Sequence, residues 1–107
     1  MKKILIVHKP YTILEPEYVK DVCDSMDGAA AYCDCANKLI VVPLKNNEGE
    51  ELTNGYRLEL LEHEIIHCLI YEAGYDGTGW SSDEKLVEMI RFISEYIRTT
   101  GVLGCLS

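Results

Sequence analysis

Long apolar runs are missing from this sequence, as are basic clusters, a second cysteine pair at ligand spacing, internal repeats and low-complexity tracts. No stretch approaches the ~18 consecutive apolar residues that a membrane-crossing helix requires, so no spanning segment is expected. Met1-Lys2-Lys3 followed by Ile4 to Val7 opens in the manner of a signal peptide. The apolar run is too short, however, and His8-Lys9-Pro10 ends it without a small-residue cleavage site. The segment reads as a first β-strand, and the protein is expected to stay in the cytoplasm. Lysine and arginine number 10 against 18 aspartates and glutamates, a net charge of −8, with no local basic patch. That balance argues against nucleic acid and anionic membrane surfaces as partners. The five cysteines are odd in number and cannot form a complete disulfide framework, and without a leader they read as reduced thiols. Cys33-Asp34-Cys35 resembles half of a metal site whose second half is absent. Two thiols at that spacing share one face of a strand and read as small buried hydrophobes.

What is present suits one globular domain over residues 1–107, with 48% hydrophobic residues. Lys3 to His8 reads as a strand. From Lys9 to Asp27 the pattern is weak and broken by Pro10 and Pro16, with a short helix or turn around Glu17 to Cys23. Asp27-Gly28 marks a turn. Ala30 to Cys35 and Lys38 to Pro43 form a hairpin joined at Ala36-Asn37, and the β-branched run Leu39 to Val42 is its strongest part. A polar loop from Leu44 to Gly55 leads into a helix over Tyr56 to Tyr71. Thr53-Asn54-Gly55 offers its amino-terminal cap and Gly74 its left-handed carboxy-terminal cap, with Leu58, Leu61, Ile65 and Leu69 at helical spacing. After the glycine-rich connection Gly74 to Gly79, Ser81 or Ser82 starts a last helix, about Asp83 to Thr99. Its core stripe is Leu86, Met89, Ile90, Ile93 and Ile97. The class is α+β: a small antiparallel sheet followed by two helices.

The chemistry concentrates in His63-Glu64-Ile65-Ile66-His67, which holds two of the three histidines. Residues four apart stand above one another on a helix, so neutral His63 and His67 can share one Zn²⁺ while Glu64 is placed to take a proton from water. The competing interpretation is a pair of hydrogen-bonded core histidines. A catalytic zinc needs a third protein ligand, and Glu72, Asp76, Asp83, Glu84 and Glu88 are the downstream candidates. Glu84 and Glu88 lie one turn apart, which suits one carboxylate on the metal and another behind it, holding a ligand histidine in the right tautomer. Ser81-x-x-Glu84 also fits a capping box, and Glu84, Glu88, Arg91 and Glu95 also fit a solvated stripe.

With these residues in view, the sequence resembles the gluzincin-like zinc metallopeptidases, in particular the small phage and prophage proteins near the ImmA/IrrE-type group. The likeness runs from Gly28 and the hairpin Tyr32 to Val42, through Leu61 to His67, to Asp83-Glu84-Lys85-Leu86-Val87-Glu88, about two-thirds of the chain. It implies a minimal zincin-like fold acting on a peptide or protein substrate. Zn²⁺ would be bound by His63, His67 and Glu84, with Glu64 as general base and Glu88 behind a ligand. The chain is shorter than most such peptidases, and Tyr56, Tyr71 and Tyr75 are its candidates for a transition-state stabiliser.

Overall fold

The structure, a computed structural model, describes residues 2–23, 29–75 and 83–100. Strand β1 (Lys2–Ile6) turns back into β2 (Lys9–Leu14); a 3₁₀ turn follows at Val19–Asp21. Strands β3 (Tyr32–Asp34) and β4 (Leu39–Val41) form the second hairpin, and helices α1 (Asn54–Ile70) and α2 (Glu84–Thr100) complete the α+β chain. The sheet order is β1-β2-β4-β3. Both hairpins are antiparallel, but β2 and β4 run parallel, Thr12 opposite Leu39 and Leu14 opposite Val41. The sheet is therefore mixed, not antiparallel as the sequence suggested. The parallel pair joins segments far apart in sequence, which local patterning does not report.

Strand β2 replaces the broken stretch expected after Lys9, and Pro10 shows why it is tolerated. Ile6 and Lys9 close the two-residue turn, so the next pair, Leu5 with Pro10, is a non-hydrogen-bonded one whose backbone N atoms point away from the partner strand. On that outer side β4 begins only opposite Thr12, so the missing proline N–H interrupts no ladder bond. The first strand also ends earlier than expected, because Val7 and His8 form the turn with φ of 50° and 65°.

One face of the sheet supplies Ile6, Tyr11, Ile13, Ile40 and Val42 to the core, where Cys68 of α1 joins them. Leu60, Leu61, Ile65, Cys33 and Cys35 pack around this cluster. The face of α1 turned inward thus runs through Leu61, Ile65 and Cys68; Leu58 and Leu69, expected to be core, are exposed. Among the described side chains of α2, Val87 is fully buried and Met89 is exposed; the expected Ile93 and Ile97 side chains lie outside the described residues.

Thr53 caps α1, accepting a hydrogen bond from Tyr56 N at 3.2 Å. Gly74 does not cap the helix; it sits in a π-helical turn, Tyr71–Tyr75, that prolongs it. Both ends of α1 are tied to the sheet side of the molecule. Near the start, Arg57 donates to Glu15 at 2.6 Å and to the Pro43 carbonyl at 3.1 Å. Beyond the end, Glu72 accepts from the Tyr11 hydroxyl and from Lys38, each at 2.5 Å. The Asp27-Gly28 turn and the connection through Asp76 to Ser82 lie outside the described residues. No helix among the described residues is long and apolar enough to cross a membrane.

Candidate metal centre

Helical spacing brings the two histidines of α1 together. The His63 and His67 rings meet edge to face with centroids 4.8 Å apart, and their Nε2 atoms face each other at 3.1 Å. The first residue of α2 closes the group: Glu84 Oε2 lies 2.6 Å from His63 Nε2 and Oε1 lies 3.0 Å from His67 Nε2. Glu84 takes that position because Asp83, not a serine, starts the helix. The Leu86 N–H donates to Asp83 Oδ1 at 3.0 Å, which places Glu84 one residue into the first turn. A capping box needs its acid two residues further in, so the box does not explain Glu84.

One turn on, Glu88 accepts a hydrogen bond from His63 Nδ1, and Arg91 Nε donates to its other oxygen at 3.1 Å. The hydrogen bond from His63 holds the Glu88 carboxyl below its ordinary range; burial opposes it and Arg91 adds to it. Burial disfavours the imidazolium of His63, but hydrogen bonds to Glu88 and Glu84 outweigh it and raise its pKa. Glu64, 7% exposed, faces inward. Burial pushes its carboxyl up, while His67, His63 and a hydrogen bond with Cys33 pull the other way. The net effect is a carboxyl of raised proton affinity beside the two imidazoles.

The donor set fits a zinc ion. Tetrahedral Zn²⁺ with Zn–N bonds of about 2.0–2.1 Å spaces its ligand atoms about 3.3 Å apart. The three atoms here converge slightly closer than that, and the Glu84 side chain, 68% exposed, has room to rotate outward. At 3.1 Å one of these imidazole nitrogens can donate an N–H to the other, and with both deprotonated the two lone pairs can instead share a cation.

His63, Glu64, His67, Glu84 and Glu88 all line one open cleft of about 690 Å³. Ala30 to Cys33, from the segment that includes edge strand β3, form another part of its wall, with Tyr56 and Arg91. Of the other ligand candidates, Glu72 is bound to Lys38 and Tyr11, Asp83 caps α2, and Asp76 lies outside the described residues. Tyr56 borders the cleft; the Tyr71 ring instead lies 5.2 Å from Lys38 Nζ, and the Tyr75 side chain is outside the described residues.

Sequence reasoning did not anticipate Tyr32 on the cleft wall, or the meeting of Cys68 with Cys33 and Cys35. The Cys35 sulfur lies 3.9 Å from that of Cys33 and 3.7 Å from that of Cys68. One local signal was available: Cys68 follows Glu64 by four residues and so shares its helix face. Comparison with known protein families, with curated proteins and with solved structures gives no match for the chain.

Proposed function

We propose that the chain is a zinc-dependent peptidase of the HExxH type with a minimal zincin-like architecture, akin to the small phage and prophage metallopeptidase proteins of the ImmA/IrrE-type group. Its place of action on this reading is the cytoplasm of a bacterial host or phage-infected cell. The observation that carries the reading is the convergence of His63, His67 and Glu84 on one point, in a cleft that also holds the buried Glu64.

In this reading His63, His67 and Glu84 hold Zn²⁺, which when bound acidifies water and polarises a carbonyl as a Lewis acid. Glu64 accepts the proton released as water attacks the peptide carbonyl, then delivers it to the departing amine. Its burial supports that role by bringing its proton affinity toward neutrality. Glu88 keeps His63 in the tautomer whose Nε2 lone pair is free, and Arg91 fixes Glu88. β3 is an edge strand, so its outer backbone groups are available to pair with an extended peptide laid along the cleft. Glu64→Gln is expected to retain metal and lose hydrolysis of a mixed peptide pool. A variant cleaving as fast as the parent would remove Glu64 from the mechanism.

Tyr71 lies under Lys38 instead of bordering the cleft, and this favours a second reading in which the protein binds zinc as an accessory or interaction module without turnover. Zinc bound at one equivalent, with no cleavage of any peptide by the parent protein, is the outcome that selects it.

A further inference from the structure

Beside the histidines, the structure gathers three thiols from the end of the β3 segment and from α1. Cys33 lies in β3, Cys35 just beyond it, and Cys68 in α1 immediately after His67. The three sulfurs lie within 4.8 Å of one another. The separations of 3.9 and 3.7 Å from Cys35 are far longer than a disulfide bond of about 2.05 Å, so these are free thiols. They are close to the spacing a metal would impose, because Zn–S bonds of about 2.3 Å in tetrahedral geometry put sulfurs about 3.8 Å apart.

The surroundings suit a cation as well. Cys68 is fully buried, which shields the cluster, while Cys33 and Cys35 line the cleft and leave a path from solvent. Three sulfurs are the soft donor set that selects thiophilic d¹⁰ ions over Ca²⁺ or Mg²⁺.

We propose that Cys33, Cys35 and Cys68 form a second metal site that binds one thiophilic d¹⁰ cation, Zn²⁺ or Cu⁺, and ties β3 to α1. On binding, thiol protons pass to solvent and the sulfurs coordinate as thiolates. The site does not depend on the peptidase reading, since it uses none of the residues His63, His67 and Glu84.

The test is titration of the full-length reduced protein with Co²⁺ alone, a spectroscopic substitute for zinc, under anaerobic conditions. A sulfur-to-cobalt charge-transfer band is expected in the parent and in a His63→Ala/His67→Ala variant, and is expected to vanish in Cys35→Ser/Cys68→Ser. Absence of the band in the parent overturns the site. So does its loss in the histidine variant, which would assign the sulfurs and imidazoles to one centre. Should the cysteine variant not fold, alkylation mapping of the parent decides. Zn²⁺ at ten times its Kd is expected to slow modification of Cys33, Cys35 and Cys68 roughly tenfold, because only the unliganded site reacts, and to leave Cys23 unchanged. Equal rates with and without zinc overturn the proposal.

Discussion

Glu88 receives the Nδ1–H of His63 and is itself held by Arg91. This leaves the Nε2 side of the same ring turned toward Glu84 and His67. Carboxylates in that position fix ring orientation and raise ligand basicity, and their loss typically lowers metal affinity about 10–100-fold. Glu88→Gln is therefore expected to weaken Zn²⁺ binding by about that factor without abolishing it, and Glu84→Gln to weaken it further. Competition against a chromogenic chelator measures both; a Glu88→Gln affinity equal to the parent's would sink the assignment.

Val87 is the fully buried residue on the described face of α2, the helix that carries Glu84 and Glu88. Val87→Ala is expected to destabilise the fold by about 2 kcal/mol, as large-to-small core changes do. If the proposed site holds zinc, the ion at about 100 times its Kd is expected to restore about 2.7 kcal/mol, because ligands drawn from both helices converge only where the helices are docked. Urea denaturation of the variant with and without zinc gives both numbers.

The turn between β1 and β2 carries avoidable strain. Left-handed conformations disfavour L-residues by roughly 1–2 kcal/mol each, and a β-branched side chain is the least suited to them. Val7 at φ 50° and His8 at φ 65° occupy the pair of positions where Asn-Gly is preferred in two-residue hairpins. Val7→Asn combined with His8→Gly is expected to raise stability by about 1–2 kcal/mol in chemical denaturation. An unchanged or lower midpoint would count against this turn geometry.

The ties of Glu72 should appear in the pH dependence of stability. Lys38 and then Tyr11 lower its carboxyl below the ordinary 4.5 in the folded chain. A group depressed on folding contributes stability that is fully present above its unfolded pKa and is lost as pH falls through its folded value. The stability difference between the parent and Glu72→Gln is thus expected to be constant above about pH 5.5 and to shrink below the unfolded value near 4.5. A difference that grows on acidification would reverse the assignment.

The sequence disclosed the parts of the site that lie within single helices. His63 with His67 and Glu84 with Glu88 are each four residues apart, and helical periodicity alone puts each pair on one side. That Glu84 meets both imidazoles is tertiary, and only the order of the helices hinted at it. Cys68 was opaque for the same reason: its partners lie more than 30 residues away across the sheet–helix interface. Pro10 hid β2, because local rules treat proline as a breaker and cannot see that its missing N–H falls beside an open edge. Leu58 and Leu69 misled because both sit on the flanks of the buried stripe of α1, where apolar identity does not decide burial. The parallel join of β2 and β4 left no local trace.

Arg57 near one end of α1 and Glu72 beyond the other moor that helix at both extremities, with the histidines between the two anchorages. A rod so fastened neither slides nor tilts without breaking the Arg57–Glu15 and Lys38–Glu72 ion pairs. By contrast, Glu84 and Glu88 of α2 rest on the histidines of α1, so the groove between the two helices is spanned by the same side chains that line it.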